Sequence, residues 1–597
     1  MRIVEGILMN IDILMKAMRN QEPLGVISRN AVKKFFDKTG NAYYPKFRLS
    51  RNRVYNEYLN RRKDYYESII QDVFDTNDAS DSTLFVEEFR INIIIYGGHV
   101  GQVVESIHSV ETYQASSVRF IMVDGPRNIK IDEEEEFKDL NIISLDLEEL
   151  ENIRIYDSEY YMILSAGQLL EKYALLNFRK HLAENSNSDL ITFDSDEIKE
   201  KLRMSPKFRP HNNKLFLYNY NYIENAFLIR GHLFKSLISH LVINEYLDSY
   251  GLLLRAFDLC QSPSRITEVL ISSTHEPQDN RRNHFDILDK FFETDNSIQD
   301  IVPGIAKGTF RVKNKLIKKP KVSIIIPFKN QGHLLRDCLN SIFKTVVDVD
   351  YEIILADNGS TDKSLLKYVK QIEESYDHIR HFVIDIPFNF SRINNEATKL
   401  VTGDYILFLN NDIEAIKKGW LEDMMEYLQQ EDVGIIGAKL LYGNGRVQHA
   451  GVILGVGHVA GHAFRHLKDE SDGNLKKANC IQEIGSVTGA CLLIKKECFI
   501  EVGGFNEKDL AIAYNDIDLC LKVREAGYKI IYTPYAKLYH HESQSRSHDM
   551  SKSEIERYQS EVKYMQDHWS NYLEDDPYHH PILSGLHESY EQFTSKY

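Results

Sequence analysis

Between residues 322 and 412, short apolar runs alternate with amphipathic stretches, and two of the runs close on acidic turns. Tyr351-Glu352-Ile353-Ile354-Leu355 leads into Ala356-Asp357-Asn358-Gly359-Ser360-Thr361-Asp362, and Asp404-Tyr405-Ile406-Leu407-Phe408 leads into Leu409-Asn410-Asn411-Asp412. Runs of about 4–8 apolar residues ending in Asp, Asn, Gly or Ser read as buried parallel strands that carry polar groups to their C-terminal ends. Val322 to Ile326 is a third such run, and helices are expected from about Leu334 to Phe343 and from about Lys363 to Glu374. This order predicts βαβ units and a mainly parallel sheet. Ligands of open α/β sheets bind at that C-terminal edge, where both acidic turns emerge.

The chain has 597 residues. That exceeds the size at which one core keeps growing, so two large domains with extensions are expected. A formal charge of −16 argues against a nucleic-acid partner, because phosphate binding depends on Lys and Arg displacing counterions. The six cysteines form no CxxC pair and sit in or beside apolar runs; buried free thiols in a reducing compartment are expected. Met1 to Met9 contains Glu5 and has no apolar core followed by a small-residue cleavage site, so it does not read as a signal peptide. No window approaches about 18 consecutive apolar residues, so no bilayer-spanning helix is expected and the location reads as cytoplasmic. Arg51, Arg53, Arg61, Arg62 and Lys63 form one basic stretch. It reads either as a solvated helical face or as a contact with the acceptor or with an anionic membrane, peripherally on the inner face of the cell membrane.

Five segments are expected: a helical N-terminal extension over 1–88, an α/β domain over 89–310, a basic linker over 311–321, a second α/β domain over 322–549 and a helical C-terminal extension over 550–597. In the last, Ile555, Tyr558, Val562 and Met565 share a face. The two α/β domains echo one another in order. Ile93-Ile94-Ile95, a helix and Phe120 to Gly125 parallel Ile324-Ile325-Ile326, a helix and Ile353 to Asn358. Likewise Ala226 to Arg230 followed by Leu252 to Arg255 parallels Cys491 to Lys495 followed by Leu519 to Lys522. The chemistry is not duplicated. Opposite Asn410-Asn411-Asp412 stands Ser165-Ala166-Gly167, opposite Asp516 stands Ser249, and only Asp124 faintly answers Asp357.

Several blocks over residues 321–549 resemble, in order, the family 2 glycosyltransferases. They are Val322 to Asn330, Asp357 to Asp362, Gly403-Asp404-Tyr405 leading to Asn410-Asn411-Asp412, Val487 to Cys491, Gly503-Gly504-Phe505, Asn515 to Leu521, and His540-His541-Glu542-Ser543. The resemblance implies an inverting, metal-dependent enzyme with a GT-A (Rossmann-like) nucleotide-sugar domain in the C-terminal half, preceded by a degenerate GT-A-like α/β domain. It implies that Asp357 accepts a hydrogen bond from a pyrimidine base flanked by Pro327 and Lys329. Asp412, last in the family's DxD element, is implied to hold a divalent cation, Mn²⁺ or Mg²⁺, with His541 or its neighbour His540. Asn410 and Asn411 replace the element's other carboxylate and are assigned to the donor ribose or outer water. Asp516 is implied to be the base that deprotonates the acceptor, although Asn515 stands where the family usually has Glu. Asp518 is an alternative helix cap. Thr488 and Gly489 are implied to line the acceptor side.

The glycine-rich stretch from Gln448 to His462 lacks a P-loop ending and reads as a mobile acceptor-side loop. The histidines in it, His449, His458 and His462, fit no standard metal spacing. The expected activity is transfer of a sugar from a nucleotide-sugar donor to a hydroxyl of a bacterial cell-surface glycan or lipid-linked precursor in polysaccharide biosynthesis. Rhamnose is favoured because Val447-Gln448-His449-Ala450-Gly451 resembles a block of rhamnosyltransferases. Two other readings stand beside it: a non-catalytic glycan-binding or scaffold subunit, motivated by the reduced Asn410-Asn411-Asp412 element, and a sugar-phosphate nucleotidyltransferase. The latter would want a Gly-rich basic loop that Pro327 to Gly332 does not supply.

Overall fold

A computed structural model describes residues 55–67 except 57, and 90–110, 117–123, 140–240, 242–243, 246–275, 281–317, 319–541 and 551–583. The chain divides into two units, Met1–Tyr65 and Tyr66–Tyr597. In the first, the described residues are helical and include Arg61, Arg62 and Lys63; Arg51 and Arg53 lie outside the described residues, as do Asp124, Glu542 and Ser543.

The second unit contains two large sheets. Strands β1 (Ile91–Tyr96), β2 (Val118–Val123), β3 (Asn141–Leu145), β4 (Tyr160–Ser165), β5 (Gln168–Leu170), β6 (Leu190–Lys199), β7 (Leu202–Lys207), β8 (Phe227–Arg230) and β9 (Pro263–Ser273) build the first. Strands β10 (Val322–Phe328), β11 (Tyr351–Asp357), β12 (Ile379–Val383), β13 (Tyr405–Leu409), β14 (Ile413–Ala415), β15 (Val433–Leu441), β16 (Val447–His449), β17 (Cys491–Lys495) and β18 (Lys529–His540) build the second. The first runs in the order β3-β2-β1-β4-β8-β6-β9-β5 with β7 on β6. The second runs β12-β11-β10-β13-β17-β15-β18-β14 with β16 on β15, and it adds a tenth, short strand, Gln482–Glu483, on β18. Each strand of the first has its counterpart nine labels later. The pairing senses agree as well: β8 and β17 are antiparallel to both neighbours, while β9 and β18 run parallel to β6 and β15. The sheets are therefore mixed, more so than the βαβ reading implied.

Helices α1 (Ser249–Leu259), α2 (Gly332–Thr345), α3 (Lys363–Ser375), α4 (Phe390–Thr398), α5 (Asn515–Glu525) and α6 (Lys552–Glu574) matter most to the site. Asp362 starts α3 by accepting the amides of Ser364 and Leu365, which satisfies donors that a helix start leaves open. Strand β13 is buried along its whole length, as expected of a strand covered on both faces. The two copies share apolar packing: Leu215 of the first joins the core of the second, and Cys480 of the second joins a core of the first. Residues 310–314, read as the entry to a linker, form a strand paired with Ile298–Pro303. There Arg311 is buried, pairs with Asp423 and Glu426 and stacks over Tyr535 at 4.1 Å. All six cysteines are unpaired. Among the described residues, no helix is long and apolar enough to cross a membrane.

Candidate active site

The strand order reverses direction between β10 and β13, so loops leaving their C-terminal ends diverge and open a crevice. At its near side, Asp357 ends β11 and is buried. Its Oδ1 accepts the Ser360 amide at 2.8 Å, and its Oδ2 lies 3.3 Å from His381 Nε2. Burial pushes this carboxyl up, but His381 and the Ser360 contacts outweigh it and hold the group below the usual range. An ionised carboxylate at a strand end is an acceptor for a ligand N–H. Asn330 ties the neighbouring loop to the same turn: its Oδ1 accepts the amides of Thr361 and Asp362, and its own amide donates to Ser360 Oγ. Asn330 and Gln331 both adopt left-handed backbone with φ of 55° and 51°. That sharp turn ends β10 and presents Lys329 to solvent, with Pro327 half-buried beneath it.

On the far side, Asn410 directly follows β13 and donates its backbone amide to Ala490 O at 3.0 Å. Two residues on, Asp412 Oδ1 lies 3.3 Å from His540 Nε2. Burial raises the Asp412 carboxyl, and the His540 contact more than reverses that, leaving it low and ionised. The expectation named His541 first, yet the imidazole facing Asp412 belongs to His540. Successive residues along β18 point to opposite sides, and His541, just past the strand, turns its Nε2 to Glu414 at 3.0 Å. The Asp412 carboxylate and the His540 imidazole are close enough to share one cation. Among the described residues no cluster of three or more His, Cys, Asp or Glu side chains could hold a metal. A cation here would thus need further ligands from substrate oxygens and water.

Asp516 lies in the first turn of α5. Its Oδ2 accepts the Gly489 amide at 2.8 Å, and its Oδ1 accepts the Ile517 amide at 2.9 Å. Burial raises its pKa, and the hydrogen bonds from Gly489, Ile517 and Thr488 do not cancel that. Thr488 and Gly489 therefore act on this carboxylate directly. Gly489 adjoins Ala490, whose carbonyl receives the Asn410 amide, so Asp516 and the Asn410-Asn411-Asp412 turn are joined through one short strand entry. Asp518 is not a cap: buried in the same first turn, its Oδ1 accepts the Trp569 indole N–H at 2.9 Å and its Oδ2 pairs with Lys522 at 3.0 Å.

The stretch expected to be a mobile loop is a β-hairpin, Val452–Leu454 with Ala460–His462. It packs through Val452, Leu454 and Val459 against Ile517, Met565 and Trp569 of α5 and α6. His449 and His462 meet Nδ1 to Nδ1 at 2.9 Å. Burial drives both below the usual histidine range, His462 to about 4. The His458 side chain lies outside the described residues.

In the first copy, Ser165 at the end of β4 is surrounded by neutral groups. Its hydroxyl meets Tyr96 OH and Asn225 Nδ2, and Gln168 Oε1 accepts both the Ser165 amide and Asn225 Nδ2. No carboxylate stands where Asp412 does. At the start of α1 an acid is present, Asp248, but it caps the helix by accepting the Gly251 amide, and burial pushes it up to about 6. Sequence reasoning missed this acid and His381, and it named Gln448 only within a block, without the contact to His540 that lies 92 residues along the chain.

Comparisons with known proteins bear on the family of the second copy. Residues 323–502 match the family model Glycosyl transferase family 2. The chain is 34% identical over 446 residues to an uncharacterized protein, y4gI, of Sinorhizobium fredii, covering 72% of this chain and 49% of that protein. It is 32% identical over 290 residues to the O-antigen biosynthesis protein RfbC of Myxococcus xanthus, covering 46% of this chain and 21% of that protein. A shorter match, 29% identical over 89 residues, covers 15% of this chain and 29% of the N-acetylglucosaminyl-diphospho-decaprenol L-rhamnosyltransferase of Mycobacterium tuberculosis. The chain thus spans about half the length of the rhizobial relative and a fifth of the myxobacterial one. Residues 323–502 thus match glycosyl transferase family 2, within an α/β domain that a second copy of the same strand order precedes.

Proposed function

We propose that the protein is an inverting, cation-dependent glycosyltransferase acting on a bacterial cell-surface glycan or its lipid-linked precursor. The observation that supports this most is the hydrogen-bonded path from Asp516 through Gly489 and Ala490 to Asn410, two residues from Asp412. It ties a carboxylate with a raised pKa to an ionised one beside an imidazole. In this reading Asp357 accepts the imide N–H of a pyrimidine base, Pro327 and Lys329 flank that base, and Asn410 and Asn411 face the ribose. Asp412 and His540 would hold a divalent cation, and their mixed oxygen and nitrogen donors suit Mn²⁺ better than Mg²⁺. Such a cation, when bound, offsets charge on a departing diphosphate.

Asp516 takes the proton of the acceptor hydroxyl. The freed oxygen pair forms the new bond to the anomeric carbon on the face opposite the diphosphate, and the old bond's electron pair leaves with the diphosphate oxygen. Thr488 and Gly489 hold Asp516 toward the acceptor. Rhamnose is the proposed sugar, supported by the Val447 to Gly451 block and by the short similarity to a rhamnosyltransferase. The first copy, with neutral groups around Ser165, is proposed to be structural or acceptor-binding. No observation favours the scaffold reading over this one.

A screen of UDP-, GDP- and dTDP-sugars for Mn²⁺- or Mg²⁺-dependent thermal stabilisation, followed by turnover of the best binder, tests the proposal. Stabilisation and transfer by one donor is expected; silence from every donor with either cation would overturn it.

A further inference from the structure

Behind the Asp412 and His540 pair stands a residue from a distant part of the chain. His540 Nδ1 lies 2.6 Å from Oε1 of Gln448, 92 residues earlier. Gln448 belongs to β16, which pairs with β15, and its side chain is buried. The next residue, His449, is pinned by its contact with His462 at the foot of the hairpin. Gln448 is therefore held at both its backbone and its neighbour, and its amide has little room to move.

A neutral imidazole carries one N–H and one lone pair, and the partner of one nitrogen decides the state of the other. An amide oxygen only accepts, so Gln448 Oε1 holds the Nδ1–H of His540 and turns Nε2 toward Asp412 Oδ1, 3.3 Å away. Nε2 and the Asp412 carboxylate are then the two atoms that a shared cation would meet.

We infer that Gln448 is a positioning residue that makes His540 a cation ligand by fixing its tautomer and ring orientation. The inference rests on the proposed cation site at Asp412 and His540. Residues behind metal-ligating histidines typically change metal affinity about 10–100-fold when removed.

The test is Mn²⁺ binding to the full chain, followed by electron paramagnetic resonance with MnCl₂ alone. Wild type is compared with Asp412→Ala, with Gln448→Met, which keeps length but removes the acceptor, and with Gln448→Glu, which keeps an acceptor. Gln448→Asn, one methylene shorter, serves as a second variant if the Met form does not fold. Expected are loss of binding in Asp412→Ala, at least about 10-fold weaker binding in Gln448→Met or Gln448→Asn, and recovery to within about 3-fold of wild type in Gln448→Glu. If Asp412→Ala loses the ion while Gln448→Met binds it like wild type, the inference is overturned and the cation site stands. If wild type binds no Mn²⁺, or Asp412→Ala binds it unchanged, the site itself is wrong and the inference falls with it.

Discussion

Asp516 combines two demands that rarely meet in one carboxylate. Hydrogen bonds from Gly489 and Ile517 aim it, while burial keeps its pKa above the ordinary aspartate value. A base is most useful when its pKa approaches the working pH, so this environment suits the base role proposed for Asp516. Asp516→Asn preserves the shape and can still meet the Ile517 amide, but it cannot take a proton. The expected outcome is transfer reduced by about 10²–10⁴-fold with donor affinity unchanged, measured by product formation beside calorimetric donor binding. Retained transfer would remove Asp516 from the mechanism. The sign of the shift also sets a pH dependence. A raised pKa means the carboxylate becomes ionised only at higher pH, so kcat/KM should fall on acidification through a limb above the usual aspartate value of about 4. A limb at or below that value would point to another base.

At the scale of elements, α6 acts as a brace on the segment that carries Asp516. Glu561 accepts the amides of Ile512 and Ala513, the Tyr558 hydroxyl meets that of Tyr514, and the Trp569 indole donates to Asp518. Tyr514 adopts a left-handed φ of 60° just before α5, a backbone state that needs such external support. The expected apolar face of this helix is partly realised: Met565 is buried, Trp569 joins it, and Ile555 at the outer end is 41% exposed. Trp569→Phe keeps most of the packing and leaves the buried Asp518 oxygen without its donor. It should lower stability by about 1–3 kcal/mol, seen as a lower unfolding midpoint in denaturant with little change in slope. An unchanged midpoint would show that the brace is incidental.

At the scale of the whole second unit, the two copies are joined by shared core and by buried polar contacts. Asn213, fully buried in the first copy, donates to Glu483 O at 2.9 Å and accepts the Glu483 amide at 3.2 Å in the second. The chain after α6 adds a second tie, with His580 Nε2 2.7 Å from Asp194 Oδ2 and the Asp576 carboxylate on the Leu454 amide. Calorimetry should therefore show one cooperative transition over residues 66–597. Asn213→Ala should lower it by the equivalent of about 1–3 kcal/mol, because buried partners lose their hydrogen bonds. Two well-separated transitions would mean that the copies are independent. The first copy thus supports the second physically, whatever else it binds.

Much of this was legible along the chain because it depends on neighbours in sequence. The strand ends at Asp357 and Asn410 follow from apolar runs meeting turn residues, and the position of Asp516 follows from a helix start. Strand length, helix phase and turn chemistry are local, so pattern alone specifies them and, with them, the family resemblance. The choice of His540 over His541 depends on the phase of a long strand whose register is set by its partners. The Gln448 contact, the His381 contact and the brace from α6 join residues separated by tens of positions, and only sheet order and packing bring them together. For the same reason the hairpin after Gln448 read as a loop: its order comes from burial against α5 and α6, which no local pattern in its glycines could convey.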